Sequence, residues 1–229
     1  MSNSSTAPSK YCISIVPSFL SKATTSLDAW PSVRAASGIE RVIFSINVSG
    51  TSLSDDAYLE FALQSIGHAA VPGDCICFEV TETAAVSNFV SAQRFIAKLR
   101  GIGCRFALDD FGSGLSSFTY LKNLAVDYLK INGSFVRDMV HDPIDHAMVE
   151  SINQLGHVMG IQTIAEFVET AEVLDKLKLL GVNYAQGYAI AEPVPLAQAH
   201  TLHIFSSDAA YAAQPTALPH AHDADRRAR

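Results

Sequence analysis

The chain repeats one pattern along most of its length: a short apolar run, a helical pattern, a glycine, and then the next apolar run. The apolar runs occupy residues 41–48, 74–82, 104–110, 126–132, 161–169 and 182–190. They are continuous rather than alternating, which is typical of strands buried on both faces of a parallel sheet. The pattern therefore predicts an α/β fold built from successive strand–helix units.

Three amphipathic helices are indicated between these runs. Their apolar positions are Phe89, Ala92, Ile96 and Leu99; Met148, Ile152, Leu155 and Val158; and Val173, Leu174, Leu177 and Leu180. A glycine follows each pattern, at Gly101, Gly160 and Gly181, where a helix cap is expected. The spacing predicts three helices that end at these glycines.

The strand count favours an incomplete version of the eight-stranded α/β barrel. That fold needs eight strands and typically about 250 residues, whereas this chain has 229 residues and six clear strands. Residues 11–16, YCISIV, are a candidate further strand, and residues 19–36 read as mostly helical. We therefore predict a modified (β/α)8, TIM-like barrel that lacks or replaces the first one or two strands.

Both ends of the chain differ in composition from the predicted barrel. Residues 1–10 read as disordered, and residues 206–229 are rich in Ala, Pro, His and Asp without apolar periodicity. We therefore expect a disordered tail over 206–229. The four cysteines, Cys12, Cys75, Cys77 and Cys104, form no C-x-x-C pair and are read as buried reduced thiols, with Cys75 and Cys77 on one face of a strand.

Charge and hydropathy exclude several classes of function. The formal net charge is −7, and no cluster of Lys and Arg precedes the last few residues, which argues against binding to a nucleic-acid polymer. There is no apolar run of about 18 residues, so a membrane span is not expected. There is also no signal-peptide pattern, so we expect a cytoplasmic location. A small anionic ligand held through metal ions is compatible with this charge.

Polar side chains recur at the ends of the predicted strands. They are Asn47, Glu79, Asp109, Asp110, Lys130, Glu166 and Gln186, with Glu82 and Glu169 each three residues beyond a strand-end glutamate. In a parallel barrel these strand ends meet at one rim, where the site lies. Carboxylate and amide oxygens suit hard cations such as Mg²⁺, Mn²⁺ or Ca²⁺. Two such ions about 3.5–4 Å apart are the arrangement used in phosphoester cleavage.

Each of these residues also has a purely structural interpretation. A single Asn, Glu or Gln at a strand end is often a cap or turn former, and Lys130 can extend its amine to solvent. Asp109 and Asp110 pose a further problem, because successive residues of an ideal strand point to opposite faces. Both serve one site only if the strand turns there, and we expect Gly112 and Gly114 to permit that turn.

Several segments together resemble the EAL domain family. They are FSINVSG, FEVTET, ALDDFGSGLSSFTYLKNLAVDYLKINGSFV, TIAEFVET and GVNYAQGYAIAEP. The resemblance covers about residues 17–196, and it assigns residues 17–205 to an EAL-type barrel domain after a segment, 1–16, that does not resemble the family. It implies a modified (β/α)8 barrel that hydrolyses cyclic di-GMP to the linear dinucleotide pGpG, with Mg²⁺ or Mn²⁺ in a two-metal site.

The resemblance also implies a role for each strand-end residue. Asn47, Glu79 and Asp109 correspond to ligands of the first metal, and Asp109 and Asp110 to ligands of the second. Glu166 corresponds to a further ligand or a water-activating base, and Lys130 to the lysine near the attacking water. Gln186 corresponds to a supporting glutamine. Glu82 corresponds to the glutamate that braces the loop after the Asp pair, here Phe111 to Ser117.

The chain departs from the family pattern at a few positions. Where the family carries its naming Glu-Ala-Leu strand, this chain has CISIVPS, without a carboxylate or an arginine. The alternative hypothesis is therefore a degenerate, non-catalytic domain that acts as a cyclic di-GMP receptor or a protein-interaction module, with homodimerisation or a partner protein as options. A third interpretation is a truncated remnant of a longer protein. Asn132 stands where Asp is usual, and Phe167 where Gly is common; neither is a metal-ligand position.

Overall fold

Seven parallel strands, paired in chain order, form the sheet in the part of the chain that the structure describes. The structure, a computed structural model, describes residues 11–15, 42–69, 71–114 and 119–192. The strands are β1 Tyr11–Ile15, β2 Val42–Val48, β3 Ile76–Thr81, β4 Arg105–Phe111, β5 Tyr128–Ile131, β6 Gln162–Ala165 and β7 Tyr184–Ala185. The prediction of a parallel α/β fold is confirmed, and the candidate strand at 11–16 is present as β1. The expectations for residues 1–10, 19–36 and 206–229 lie outside the described residues.

Helices connect the strands in the manner of a (β/α) barrel. They are α1 Gly50–Leu53, α2 Asp56–Ala69, α3 Glu82–Ser87, α4 Phe89–Arg100, α5 Gly133–Asp138, α6 Pro143–Met159 and α7 Ala171–Leu180. Short 3-10 turns lie at Gly73–Cys75 and Leu121–Asn123. All three predicted helices are present, as α4, α6 and α7.

Local side-chain chemistry explains the ends of α6. Asp142 caps its start, because its Oδ1 accepts hydrogen bonds from the backbone N–H groups of Ile144 at 2.7 Å and Asp145 at 3.4 Å. Pro143 occupies the first turn, where its missing N–H costs nothing. Gly160 ends the helix in the left-handed conformation at φ 70°, and Gly181 ends α7 in the same way at φ 73°.

One detail of the helix prediction was wrong. Val158 was placed on the apolar face of α6, but it is 79% exposed, because the buried stripe of that helix runs through Val149, Ile152 and Gly156. Gly101 caps the end of α4, as predicted, in a right-handed conformation, and Gly103 two residues later is left-handed at φ 92°.

All the observed strands except β4 are shorter than the apolar runs that predicted them. The run 74–82 begins with a 3-10 turn, so that Cys75 precedes β3 and only Cys77 lies within it. Cys75 packs in the core outside the sheet and Cys77 in the inner cluster, so the prediction that they share one face was wrong. The runs 161–169 and 182–190 narrow to β6 and β7, because most of their remaining residues lie in the segment that follows each strand.

The sheet is buried on both faces, as its continuous apolar runs predicted. One set of alternate residues packs outwards against the helices and includes the fully buried Phe44, Ile76, Phe106, Leu129 and Ile131. The other set forms a small inner cluster of Ile43, Cys77, Ala107, Tyr128 and Ile164, with Tyr184 packed against it. Successive strand residues point to opposite faces, so the next inward positions lie directly above this cluster.

No helix in the described ranges is long and apolar enough to cross a membrane.

Candidate functional site

The predicted site residues follow the inner apolar cluster at a spacing of two. Glu79 follows Cys77, Asp109 follows Ala107, Lys130 follows Tyr128, Glu166 follows Ile164, and Gln186 follows Tyr184. Side chains alternate along a strand, so each of these residues points to the same inner face as the cluster residue before it, but lies nearer the carboxyl end of the strand. Because the strands are parallel, these side chains all lie at the same rim of the sheet. In the sequence, these site residues are therefore recognisable because each follows an inward-facing residue of the inner cluster by two positions.

Lys130 lies at the centre of this rim and contacts three carboxylates. Its Nζ is 2.9 Å from Glu79 Oε2, 2.9 Å from Asp109 Oδ1 and 2.8 Å from Glu166 Oε1. The side chains of Lys130 and Glu79 are only 4% and 2% exposed. A buried ammonium is tolerated when carboxylates compensate its charge. One lysine thus joins acidic residues that lie on β3, on β4 and directly after β6.

Burial and charge act in opposite directions on these groups. Burial alone would lower the pKa of Lys130, but Glu79, Glu166 and Asp109 together raise it above its ordinary value. Burial raises the pKa of Glu166 to about 7; the charge of Lys130 opposes this shift and that of Asp109 adds to it. Lys130 is accordingly a fixed positive charge at neutral pH.

Asp109 and Asp110 serve the same site because β4 contains a bulge. Ala107 pairs with Tyr128 and Leu108 with Leu129, but the next pair is Phe111 with Ile131, so β4 has one extra residue there. Asp110 adopts the left-handed conformation at φ 55°, which Asp tolerates better than most residues. The strand therefore turns at the Asp pair, as expected, and Gly112 directly after it is also left-handed at φ 96°.

The bulge brings three carboxylates close enough to share a cation. Oxygen atoms of Asp109, Asp110 and Glu166 all lie within 4.8 Å of one another. Ligand oxygens about 2.0–2.6 Å from a hard divalent cation are separated from one another by at most about 4–5 Å. The donor set is all oxygen, as Mg²⁺, Mn²⁺ and Ca²⁺ prefer. The three residues therefore fit a hard cation in both distance and chemistry.

Two of the predicted residues have weaker described contacts with this cluster. Asn47 on β2 is paired in register with Glu79 on β3, so it stands beside the cluster at the same level of the sheet. Gln186 is fixed through its backbone, whose N–H donates to Ala165 O at 2.8 Å and whose carbonyl accepts from Val168 N–H at 3.0 Å. Its side chain forms no hydrogen bond within the described ranges.

Glu82 is a buried carboxylate that contacts both sides of the loop after β4. It is 2% exposed, its Oε2 accepts from Gly112 N–H at 2.9 Å, and its Oε1 accepts from Tyr120 O–H at 2.7 Å. Residues 115–118 of this loop lie outside the described ranges. Sequence reasoning missed Tyr120, because nothing in its spacing relates it to a glutamate 38 residues earlier.

Asn132 was also missed as part of the site. Its Nδ2 donates to Asp110 Oδ1 at 3.0 Å, while its Oδ1 accepts from Ser134 N–H at 2.8 Å and caps α5. The signal available in the sequence was its position two residues after Lys130, on the same face of the chain. Asn132 therefore holds a candidate metal ligand although it is not a predicted ligand itself.

Comparison with known proteins agrees with these features. The profile of the EAL domain matches residues 7–193. The chain is 48% identical over 153 residues to the cyclic di-GMP phosphodiesterase PdeB of Shewanella oneidensis; the match covers 67% of this chain and 18% of that protein. The chain thus spans about a fifth of the length of the curated relatives it matches.

Solved structures show the same architecture. A MucR phosphodiesterase in complex with c-di-GMP superposes with a TM-score of 0.71 at 28% identity, covering 77% of this chain and 70% of that one. The EAL domain of Mycobacterium smegmatis DcpA superposes with a TM-score of 0.72 at 31% identity, covering 78% and 80%. These neighbours confirm the predicted TIM-like barrel class. With its profile match, its relatives and its fold, this chain belongs to the EAL domain family.

Proposed function

We propose that this domain is a metal-dependent phosphodiesterase that hydrolyses cyclic di-GMP to linear pGpG. The observation that carries the proposal is the cluster of Asp109, Asp110 and Glu166, with carboxylate oxygens within 4.8 Å of one another beside the buried Lys130. The curated relatives named as cyclic di-GMP phosphodiesterases support the choice of substrate. The activity proposed is that of the domain, because the chain spans only a fifth of those relatives.

The ligand set follows from position on the rim. Asn47, Glu79 and Asp109 would hold one cation, and Asp109, Asp110 and Glu166 a second, with Mg²⁺ or Mn²⁺ as the ions. Such a pair of cations neutralises phosphate charge and lowers the pKa of a bound water. Asp109 belongs to both sets, because it shares the Lys130 amine with Glu79 and has a carboxylate oxygen close to that of Asp110. The location proposed is cytoplasmic.

The protein residues supply orientation and charge. Lys130 keeps its proton, so it donates a hydrogen bond to the attacking water or a phosphate oxygen and does not act as a base. Glu166 either ligates a cation or accepts the proton of that water. Glu82 holds Gly112 and thereby the turn that aims Asp110. Water attacks one phosphorus, the bond to the 3′ oxygen breaks, and the product is linear.

The test is turnover of cyclic di-GMP by the purified chain with Mg²⁺ or Mn²⁺, followed by chromatographic separation of the linear product. Asp109→Asn should abolish turnover, because it removes charge from both proposed cation sites. Asp175→Asn is the matched control, since Asp175 is 72% exposed and pairs only with Lys178 one turn along α7 among the described residues. Wild-type turnover no higher than that of Asp109→Asn would refute the proposal.

A second candidate function is a non-catalytic receptor for cyclic di-GMP. The observation that favours it is β1, which pairs with β2 in register yet has the sequence YCISI, without a carboxylate. Residues 1–27 of this chain contain no Asp or Glu. Calorimetric titration separates the two functions, because a receptor binds cyclic di-GMP without producing linear dinucleotide.

A further inference from the structure

Phe167 adopts a backbone conformation that its side chain disfavours. Its φ is 53°, and among the described residues the other non-glycine residue with positive φ is Asp110. A short polar side chain explains Asp110, but a bulky residue in this region is a genuine outlier. Such conformations persist where the surroundings impose them, and they cluster at ligand-binding sites.

Burial does not compensate this strain. Phe167 is 48% exposed, although it follows directly on Glu166, which is only 9% exposed. A phenyl ring left half in water gains little from the hydrophobic effect compared with a core phenylalanine such as Phe106. The conformation therefore directs an aromatic ring towards solvent at the rim of the site.

Neighbouring residues hold the ring in place. Its Cδ2 lies so close to Gly133 that any Cβ there would overlap it. The guanidinium carbon of Arg137 stands 4.4 Å from the ring centroid, within range of a cation–π interaction. Arg137 is in turn 3.6 Å, Nε to Oε1, from Glu169. The ring is thus a fixed feature supported by the glycine and arginine of α5.

The ring is connected to the acidic cluster on both sides. Phe167 is adjacent in sequence to Glu166, and Gly133 is adjacent to Asn132, which donates to Asp110. The loop after β7 lies alongside, because Ala189 N–H donates to Val168 O at 2.9 Å. That loop carries Tyr188 and Ile190, which are 64% and 37% exposed. An exposed apolar and aromatic surface therefore borders the candidate cation site.

A flat aromatic ring next to a guanidinium suits a planar base attached to a phosphate. Bases stack on phenylalanine and on arginine planes, and the cation attracts the neighbouring phosphate. We propose that Phe167 and Arg137 form a stacking platform for one purine base of the dinucleotide. This assignment rests on the proposed function for its ligand, and it makes Phe167 a binding residue rather than a catalytic one.

The test is equilibrium binding of a cyclic dinucleotide in which one guanine is replaced by 2-aminopurine, whose fluorescence falls on stacking. Wild-type protein should quench the probe, and unlabelled cyclic di-GMP should reverse the quenching. Phe167→Leu should weaken binding by about 10-fold and lose the quenching, whereas Phe167→Trp should retain both. Arg137→Gln should weaken binding by about 3- to 10-fold. Arg94→Gln is its matched control, since both arginine side chains are 49% exposed and ion-paired.

A thermal-unfolding measurement excludes a merely structural role. Phe167→Gly should unfold at the same or a higher temperature than the wild type, because glycine adopts positive φ without strain, and yet bind the probe more weakly. Equal probe affinity and quenching for wild type, Phe167→Leu and Phe167→Gly would overturn the platform, as would no binding by the wild type. Turnover is scored separately: quenching that depends on Phe167 without linear product keeps the platform and refutes the phosphodiesterase.

Discussion

Asn132 and Asp110 are joined by a hydrogen bond of 3.0 Å from Nδ2 to Oδ1, across the bulge that makes the candidate cation site possible. The bond has two structural consequences. It fixes the carboxylate of a residue held in the left-handed conformation, and it places a neutral amide rather than another charge beside Asp109 and Asp110. Burial and the charge of Asp109 raise the pKa of Asp110, and the bond from Asn132 and the charge of Lys130 oppose this shift.

Replacing Asn132 by Asp should make the cluster more dependent on metal. The substitution removes the donor and adds a carboxylate, so Asn132→Asp should unfold at a temperature several degrees below the wild type without metal and gain more from added Mn²⁺. Asn132→Ala removes both the donor and the cap of α5 without adding charge, so it should lose about 1–2 kcal/mol of stability but show no larger metal effect than the wild type. Differential scanning calorimetry with and without Mn²⁺ measures both. Identical metal responses of the two variants would contradict the prediction.

Lys130→Met should leave three carboxylates without their shared cation. Removing one partner from a buried ion cluster costs about 3–5 kcal/mol, and we expect this loss in chemical denaturation without metal. Divalent cations should restore part of the stability, because they replace the missing positive charge, but turnover should fall by about 100-fold or more. Lys178→Met on the surface of α7 is the matched control and should change stability by less than about 0.5 kcal/mol. A Lys130→Met protein as stable as this control would show that the three contacts contribute nothing.

Tyr120→Phe should release one of the two described contacts of Glu82. The lost hydrogen bond is worth about 1–3 kcal/mol, because it leaves a buried carboxylate oxygen without its donor. We expect kcat to fall more than KM rises, since the bond supports Gly112 and the turn at Asp110 rather than the ligand. Tyr58→Phe, with its ring stacked on Phe95, is the control and should leave kcat unchanged. An unchanged kcat in Tyr120→Phe would show that the hydrogen bond between Tyr120 and Glu82 does not help to align the site.

Gly133→Ala should destabilise the domain through Phe167 alone. A Cβ at position 133 would overlap Phe167 Cδ2, so the ring or the backbone must move, at a cost of about 1–3 kcal/mol. In a Phe167→Gly background the same substitution should cost almost nothing, because the overlapping atoms are gone. Urea denaturation of the two single variants and the double variant closes this cycle. If the losses of unfolding free energy in the two single variants simply add in the double variant, the effect of Gly133→Ala does not depend on the ring of Phe167.

The boundaries of the strands show what sequence pattern misses. The apolar run 161–169 was continuous enough to predict one long strand, yet β6 ends at Ala165 and Phe167 is left-handed. Apolar residues in a rim loop cannot be told from those in a strand by sequence, because the difference is whether the backbone is hydrogen-bonded to a neighbouring strand. Val158 fails for a related reason, because helical spacing identifies a face but not what covers it.

The residues of the candidate site were more predictable than the residues that hold them in place. Glu79, Asp109, Lys130 and Glu166 were identifiable because each ends a buried run, and parallel strand ends meet at one rim. Tyr120 and Asn132 were not identified, because hydrogen bonds between residues 22 and 38 positions apart leave no trace in local spacing.

The class of fold and the chemistry of the rim can be predicted from the sequence pattern alone. Continuous apolar runs require a sheet covered on both faces, and oxygen-bearing residues at successive strand ends require a shared acidic site. Tertiary structure decided the rest. One extra residue in β4, paired against β5, turns Asp110 to the side of Asp109. Register is a relationship between two strands, so no single strand encodes it, and the cation site exists only where that pairing is made.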